Sequence, residues 1–478
     1  MATQKIQHWY DYITINLYWF ALNTRNGVLA PLLIPLLVQQ FVGEQVKGAY
    51  VGTIRLWALM GAVLVQALMG ILSDRSTSRW GRRRPFILGG TLGELAAFTL
   101  IGLITGMQGT SGFWALFAAY ILSMFFSNTA QAAQQGLIPD LVPDEKKGRF
   151  SGVKALLEIP LPLVFISFII GRLVSAGNLW AALLITMAVL LICMLVTMLV
   201  REQPATEAPF ELKWKPFIRL VLMAGLFTGI ILLAGEAVNR SIQLIQNLQH
   251  ESSIYMIALA GTAGMLLAIG FGVWASIRIG IGPHTKRQKA FIWWVINRLA
   301  FLAAAVNVAT FVLYYIQERF EEYPGNLAAS PAAMVMMVVG VLILALAIPS
   351  GWLADRFGKR KLVAASGFIA ATGTAAALLA PGISGLYIGG LFIGAGVGLF
   401  YPANWALGTE IVPNDQAGRY LGLSNLAGAG AGAVGAYIGG PIADNQGYVL
   451  VFAIFGVLFL VSTLALLGVR GYKEDQSN

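Results

Sequence analysis

Four ionisable side chains stand inside long apolar stretches of the chain, where a charge is costly. They are Arg25, Glu94, Glu158 and Arg298. A charge at the centre of a bilayer costs roughly 3 kcal/mol or more unless it is paired or hydrated, so such residues are candidates for function. A carboxylate in this setting can take up and release a proton or hold a cation, and an arginine can pair with the charged carboxylate. We therefore predict that these four residues couple an ion to the activity of the protein.

Arg25 lies in a polar segment, Asn23–Asn26, that is difficult to reconcile with a helix facing lipid. This composition favours a position beside a central cavity over a structural ion pair, with Glu94 as the first candidate partner. The alternative for Glu94 is that it only neutralises a nearby arginine. Lys154 and Glu158 are one helical turn apart and could satisfy each other.

Amide side chains form a second group of candidates, suited to a neutral ligand rich in hydroxyl groups. Positions 128, 131 and 135 share one face of the predicted fourth helix, because they are three and four residues apart. The alternative for each amide is a hydrogen bond between helices. The predicted substrate contacts in the first half are Asn23, Asn26, Asn128, Gln131, Gln134 and Gln135.

The sequence lacks the residues that disulfide formation, metal binding or nucleotide hydrolysis would require. Cys193 is the single cysteine and lies in an apolar run, so neither a disulfide nor a thiolate metal cluster can form. The three histidines, His8, His250 and His284, fall in tails or loops. No Gly-x-x-x-x-Gly-Lys-Ser/Thr loop cradles a phosphate. We expect no metal, no cofactor, no ATP-driven step and no enzymatic activity.

These candidates must be positioned by helices that lie in lipid. Of the 478 residues, 57% are hydrophobic and 11% are charged, against roughly 25% charged in an average soluble domain. Apolar runs of about 18 to 25 residues recur along the chain, each long enough to cross a bilayer as a helix. The net charge of +10 comes from basic residues in short loops, which indicates membrane topology rather than nucleic-acid binding. The lipid bilayer is the main partner of this all-α membrane protein.

The apolar runs predict about fourteen transmembrane helices in three domains. Residues 1–200 form a six-helix bundle, 201–290 form a linker and an inserted two-helix hairpin, and 291–478 form a second six-helix bundle. Lysine and arginine concentrate in alternate short loops, which places both termini in the cytoplasm if the hairpin crosses twice. We expect an inner or plasma membrane protein that is a monomer.

An internal repeat supports two related bundles. The segment Gly70–Arg75 recurs as Gly351–Arg356, each copy after the second helix of its bundle. Asp140-Leu-Val-Pro recurs as Glu410-Ile-Val-Pro, each copy after the fourth helix. Two motifs in the same order on the same predicted face indicate a parallel repeat, with a substrate site expected near the midplane between the halves.

The first loop, Gly70-Ile-Leu-Ser-Asp-Arg followed by Gly81-Arg-Arg-Arg, resembles the loop that marks the major facilitator superfamily. The resemblance implies a major facilitator fold and a gating role for these loops, in which Asp74 accepts N–H groups or pairs with arginines. For the arginines at 82–84 the alternative is that they only set topology. The predicted gating residues are Gly70, Asp74, Arg75, Arg82, Arg149, Asp355, Arg356 and Arg419.

The spacing from Asp74 to Gly81 in the first loop is longer than the spacing from Asp355 to Gly358 in the second loop. This longer form resembles the loop of the sucrose/proton symporters and of the related glycoside, pentoside and hexuronide cation symporters. The fourth helix is also similar, but Gln135 stands where that family has an arginine, which puts sucrose itself in doubt. In the superfamily, the helices equivalent to 1 and 4 line the cavity. For the second half this implies substrate contacts at Asn307, Tyr401, Asn404 and Trp405, although Trp405 could equally be a packing residue.

We therefore expect a secondary transporter that moves a small polar organic solute by coupling to a proton or another cation. A glycoside or oligosaccharide is the leading class of small-molecule substrate. Two alternatives stay open: an exporter of amphipathic compounds, and a pigment-delivery or assembly factor of related fold.

Overall fold

Helices make up all regular secondary structure in the part of the chain that the structure describes. The structure is a computed structural model, and it describes residues 8–202, 214–247, 253–280, 288–412 and 417–469. Side chains are not described at 288, 417–419, 421–423 and 425–427. No strand occurs within these ranges, which confirms the all-α fold class.

The first half contains six long helices. They are α1 Asp11–Val42, α2 Lys47–Asp74, α3 Arg84–Ile104, α4 Gly109–Leu141, α5 Asp144–Ser175 and α6 Leu179–Thr197. Each contains an apolar stretch long enough to cross the hydrocarbon core of a bilayer. Buried Cys193 lies on α6.

Eight helices follow. They are α7 Trp214–Asn247, α8 Ser253–Gly280, α9 Gln288–Arg319, α10 Gly325–Phe357, α11 Lys359–Leu379, α12 Ile383–Ile411, α13 Ala417–Gln446 and α14 Tyr448–Val469. Within the described residues, thirteen of the fourteen helices are long and apolar enough to span a membrane; the exception is α13, which includes the undescribed side chains after 416. The helix pattern agrees with the predicted fourteen helices.

Helix α7 is longer than its apolar run predicts. Hydropathy predicts that the first helix of the hairpin covers the apolar run near 217–235 and that residues 238–253 form an extracytoplasmic segment. In the structure the helix continues to Asn247, so the first ten residues of that segment are helical. With 34 residues, α7 exceeds the roughly 20 that a bilayer requires, so part of it must extend beyond the hydrocarbon. At that end, the amide of Gln246 hydrogen-bonds to the side chain of Asn445.

Packing divides the chain into two compact units. The first unit comprises Met1–Phe41 and Gly61–Phe217, and the second comprises Val42–Met60 and Ile218–Asn478. The predicted hairpin, α7 and α8, therefore packs in the second unit, as does the beginning of α2. The domain limits predicted at 200 and 290 divide the chain into consecutive segments. The two compact units are instead defined by which residues pack together, so each contains segments that are separate in the sequence.

Two helices of the first unit contain a wide π turn. In α1 it covers Leu29–Leu33 and includes Pro31, and in α5 it covers Ile166–Ile170. Proline lacks an N–H group, so it interrupts the regular i→i−4 ladder. The two helices meet at this level, since a Cβ added to Gly27 would lie 2.5 Å from Cδ1 of Ile166. Segments of this kind are frequent at functional sites.

Candidate functional site

A buried ion pair joins α1 to α3 inside the first unit. The Nε atom of Arg25 donates to Oε1 of Glu94 at 2.7 Å, and the two residues are only 2% and 1% exposed. Ser123 of α4 completes the cluster: Arg25 Nη2 donates to its hydroxyl at 2.5 Å, and that hydroxyl donates to Glu94 Oε1 at 2.7 Å. Three helices therefore contribute one acid, one base and one hydroxyl to a single network.

The third guanidinium nitrogen of Arg25, Nη1, contacts neither Glu94 nor Ser123. It donates to Oδ1 of Asn26 at 2.8 Å and approaches the sulfur of Met124 at 3.2 Å. The ring of Tyr120 lies 5.9 Å from the guanidinium carbon. Asn26 is exposed although Arg25 is not, so its amide is the accessible side of the cluster.

Glu94 has one oxygen that the network does not use. Its Oε2 atom is buried and has no hydrogen-bond partner. A buried acceptor without a partner carries a desolvation cost. A proton added at this oxygen leaves the bonds of Oε1 to Arg25 and Ser123 in place.

The predicted amide contacts of the first unit separate into exposed and structural residues. Gln135 is exposed and Gln131 is half-buried. Asn128 is buried and donates to the carbonyl of Met124 on its own helix, at 2.7 Å. Gln134 is also buried, and its amide donates to the carbonyl of Ile15 at 2.7 Å, which ties α4 to α1.

Asn23 and Glu158 make contacts within their own helices. The Nδ2 atom of Asn23 donates to the carbonyl of Trp19 at 3.0 Å. Glu158 lies 3.5 Å from the ammonium group of Lys154, one turn away on α5. That ammonium also sits 4.0 Å from the centre of the Trp19 ring. Glu158 therefore has a partner that partly offsets its charge.

Arg83 is the centre of the first motif loop. It forms an ion pair with Asp74, a second with Asp140 at 2.9 Å, and a hydrogen bond from Nη1 to the Ser73 hydroxyl at 2.7 Å. Arg82 also pairs with Asp140, at 2.7 Å. The loop between α2 and α3 is thus fixed to the end of α4. The predicted gating residues include Arg82 but not Arg83 or Asp140, although both stand in the motifs that the sequence analysis describes.

Two further contacts hold Arg83 in place. A Cβ at Gly136 would collide with its guanidinium group, so only glycine leaves room for it there. Glu202, which follows α6, accepts the backbone N–H of Arg83 at 2.9 Å and that of Arg84 at 3.0 Å. It therefore caps the first N–H groups of α3. Burial raises the pKa of Glu202, and the hydrogen bonds from these two N–H groups only partly oppose this.

The second motif loop, which follows Gly351–Arg356, resembles the first in its glycine and in one ion pair to the fourth helix of its half. Gly81 and Gly358 occupy matching positions and both have positive φ, +103° and +92°, a region that favours glycine. After Gly358, Lys359 pairs with Glu410, as Arg82 pairs with Asp140 after Gly81. Both copies of the repeat therefore join the loop to the end of the fourth helix of their half.

The other predicted gating residues are more exposed. Asp355 and Arg356 are both exposed, and the Arg356 guanidinium carbon lies 5.2 Å from the Trp352 ring. Arg149 is exposed and Arg75 is half-buried. At Gly70 an added Cβ would meet no atom within 4 Å. The side chain of Arg419 lies outside the described residues.

Arg298 lies in a polar network of α9, α12 and α14 in the second unit. Its Nη1 donates to Oδ1 of Asn404 at 3.1 Å. Nδ2 of Asn404 donates to Oδ1 of Asn297 at 2.7 Å, and Nδ2 of Asn297 donates to the carbonyl of Ser462 at 2.8 Å. The ring of Trp405 lies 5.8 Å from the Arg298 guanidinium carbon. Asn297 lies beside Arg298 on a helix expected to line the cavity, whereas nothing in the sequence indicated Ser462.

The other predicted contacts of the second unit differ in accessibility. Tyr401 and Trp405, one turn apart on α12, are 41% and 40% exposed. Asn307 is fully buried and donates to the carbonyls of Ala303 and Gly432, at 2.8 and 3.1 Å. Asn307 is therefore bound within the helix packing.

A second charged cluster of this unit holds the beginning of α2. Asp444 of α13 accepts the N–H groups of Gly48 and Ala49, both at 2.7 Å. Buried Lys47 donates to Glu44 at 2.5 Å and to Gln317 at 3.0 Å. A carboxylate at a helix N-terminus is favoured by the exposed N–H groups and the helix dipole.

Comparison with known proteins gives these clusters a context. A family model described as Major Facilitator Superfamily matches residues 18–316 and 293–478. An uncharacterised symporter of Synechocystis is 24% identical, over 75% of this chain and 72% of its own length. The sucrose transport protein SUC3 of Arabidopsis thaliana is 31% identical over 31% of this chain and 29% of its own length.

Solved structures share the fold at low identity. The inward-open xylose transporter XylE from E. coli has a TM-score of 0.63 at 16% identity and covers 96% of both chains. A peptide transporter of the POT type has a TM-score of 0.67 at 15% identity, covering 97% of this chain and 95% of its own. The family match over nearly the whole sequence, the fourteen helices and the repeated motif loops lead to one conclusion: this chain belongs to the major facilitator superfamily and is a multi-pass membrane transporter, not an enzyme.

Proposed function

We propose that this chain is a proton-coupled symporter for a small polar organic solute, with a glycoside or oligosaccharide as the leading class. The observation that carries the proposal is the buried cluster of Arg25, Glu94 and Ser123, an acid–base network on membrane-spanning helices with one unused carboxylate oxygen. Two relatives support it by name, because one is called a symporter and another a sucrose transport protein.

In the proposed cycle, Glu94 takes up the proton at Oε2. Protonation removes the negative charge that holds Arg25, so the guanidinium can exchange this partner for another. A charge-assisted hydrogen bond contributes about 1.5–3 kcal/mol, enough to shift a two-state equilibrium by roughly tenfold or more. Asn26 contacts Arg25 and is exposed, so a solute held by Asn26 would be one hydrogen bond away from the ion pair.

We propose that the protein lies in the inner or plasma membrane with both termini in the cytoplasm. The basic motif loops support this orientation, since lysine and arginine are retained on the cytoplasmic side. The proton gradient across such a membrane is directed inward. Symport with these protons would make the protein an importer, because the solute then moves in the same direction as the proton.

Purified protein in proteoliposomes that enclose a pH-sensitive dye tests this function. With an inward proton gradient, we expect a transported sugar to accelerate acidification of the lumen, and an uncoupler to abolish its accumulation. The matched variant Glu94→Gln should still bind the sugar but carry no protons with it. Sugar uptake that does not depend on the proton gradient would reject the proposal in favour of a uniporter. Export of an amphipathic dye, with no response to any sugar, would reject it in favour of an exporter.

A further inference from the structure

Arg298 is a buried cation for which the described part of the second unit provides no carboxylate. It is 8% exposed, and no aspartate or glutamate described by the structure lies within ion-pair distance. Arg25, by contrast, has Glu94 at 2.7 Å. A buried charge without a counter-ion is costly, and proteins retain such a charge mainly where function requires it.

The hydrogen bonds around Arg298 have a fixed direction. The backbone carbonyl of Ser462 can only accept, so the amide group of Asn297 must donate to it and present its oxygen to Asn404. Asn404 in turn presents its own oxygen to Arg298. The chain of amides therefore holds one end of the guanidinium in a set orientation. It contributes no charge.

One edge of the guanidinium stays without a partner. Nη1 is used by Asn404, whereas Nε is buried with no hydrogen-bond partner, and no described group accepts from Nη2. Nε and Nη2 form the edge at which an arginine binds a carboxylate, and because Nε is buried, a ligand carboxylate would reach the guanidinium through Nη2. The half-exposed ring of Trp405 lies beside this group, with Tyr401 one turn away. Aromatic rings in such positions can stack against the flat face of a ligand ring.

We propose that Arg298 binds the carboxylate of a monoanionic substrate whose ring lies against Trp405, as in a carboxylated sugar. One buried cation balances one negative charge, so a monoanion fits better than a phosphate dianion. The inference rests on the proposed function as a transporter of a small polar solute and narrows its class. It also reassigns Arg298 from ion coupling to substrate recognition.

The first test needs no ligand and compares two arginines by thermal unfolding in detergent. Arg298→Gln keeps a donor for Asn404 and removes a charge that has no counter-ion, so the Tm should stay unchanged or rise. Arg25→Gln leaves Glu94 unpaired, so its Tm should fall. A clear fall for Arg298→Gln would mean that the protein itself already stabilises the guanidinium, and would overturn the proposal.

The second test uses pairs of probes that differ only in the carboxylate: methyl glucuronide with methyl glucoside, galacturonate with galactose, and benzoate with benzamide. Binding is measured in detergent by tryptophan fluorescence and thermal shift. In the wild type, at least one acid should bind roughly tenfold to a hundredfold more tightly than its neutral partner. Arg298→Gln should abolish this preference, and Trp405→Leu should weaken both members of a pair while leaving their ratio unchanged.

Arg55 provides a matched control, because it is also 8% exposed and bonded only to a neutral group, Thr310, at 3.1 Å. Arg55→Gln should keep the preference for the acid. The proposal is wrong if no acid is preferred in any pair, if Arg298→Gln keeps the preference, or if Arg55→Gln loses it. None of these binding results depends on proton coupling. The liposome assay can therefore reject proton coupling while the binding of a carboxylate at Arg298 is supported, and the binding assay can reject that site while proton coupling is supported.

Discussion

Arg25 and Glu94 neutralise each other inside the first unit, and neither can be replaced alone without leaving the other charge unpaired. We predict that Arg25→Gln abolishes coupled uptake and destabilises the protein by about 3–5 kcal/mol, the usual cost of breaking a buried pair. The double variant Arg25→Gln/Glu94→Gln should recover much of the Tm but no coupling. Uptake and unfolding of the same purified samples measure both effects.

Membrane insertion of the Arg25→Gln protein should be normal, which fluorescence-detected size exclusion can verify. If the variant instead retains pH-dependent transport at the wild-type rate, Arg25 has a structural role. The coupling site would then have to be sought at Glu158.

Glu202 should give the first unit a pH-dependent stability. Burial raises its folded pKa above the ordinary glutamate value, which is about 4.3. The folded state therefore binds its proton more tightly than the unfolded state does. This contribution is complete below the unfolded pKa and is lost as the pH rises through the folded pKa. We predict that Glu202→Gln flattens the Tm–pH curve in that window, as seen by differential scanning fluorimetry.

The cap that Glu202 provides can be separated from its titration. Glu202→Gln keeps an acceptor oxygen for Arg83 and Arg84 but cannot titrate, so Glu202→Ala should be less stable than Glu202→Gln by about 1 kcal/mol at any pH. A Glu202→Gln protein with the wild-type pH profile would show that another group titrates there.

The site residues that could be identified from the sequence were the few ionisable ones within apolar runs. Arg25 and Glu94 stood out because ionisable groups in apolar runs are uncommon, and the structure brings the two together. Ser123 and Glu202 gave no such signal. A serine on an apolar helix is ordinary, and Glu202 lies just after α6, where a charge costs little. Their roles depend on which helices pack together, and sequence spacing within one helix does not contain that information.

At the scale of the elements, the two motif loops differ in how firmly they are held. Asp74 and Asp355 are both exposed, but Asp74 pairs with Arg83, whereas no ion pair of Asp355 occurs among the described residues. We predict that Asp74→Asn and Asp355→Asn both slow the transport cycle more than they weaken substrate binding, with the larger effect at Asp74. Exchange and net uptake, measured with binding on the same samples, separate the two steps.

Gly136→Ala is a matched variant for this prediction, because it displaces the guanidinium of Arg83 without removing any charge. It should slow cycling as Asp74→Asn does. Wild-type rates in both aspartate variants would exclude the gating role of these loops.

Hydropathy predicted the helices well because each must supply about 20 apolar residues to cross a bilayer. It did not predict the final turns of α7, because residues beyond 235 include polar side chains such as Asn239 and Arg240. Those turns are held by intrahelical bonds, including the ion pair of Arg240 with Glu236 at 2.7 Å. Helix continuation outside lipid depends on such local contacts rather than on apolar content.

At the scale of the whole molecule, the end of α7 provides a test of topology. We predict that Gln246→Cys reacts with an impermeant maleimide in intact cells, because the α7–α8 hairpin must cross the membrane twice to keep both motif loops inside. Cys193 is buried and should give no background. Thr77→Cys, in the first motif loop, is the matched control and should react only after lysis. The opposite pattern at Gln246 would reject the fourteen-helix topology.

The repeat and the helix number could be predicted for the whole chain, but its division into compact units could not. Hydropathy assigns α2 to the first half in sequence order. The structure places its beginning in the second unit, where Asp444 accepts the N–H groups of Gly48 and Ala49. That contact joins residues almost four hundred positions apart, and no local pattern indicates it.

The wide turn of α1 has a consequence for comparing this chain with its relatives. A π turn closes its hydrogen bonds over one residue more than an α turn does, and each residue of a helix advances the side-chain direction by about 100°. Removing one residue between Leu29 and Leu33 would therefore close the wide turn to an ordinary α turn and leave Arg25 facing Glu94, whereas removing one residue from a regular part of α1 would rotate one end of the helix against the other by about 100°. A one-residue gap at this point in an alignment marks the replacement of a wide turn by an α turn, so a relative can lack that residue and still form the ion pair.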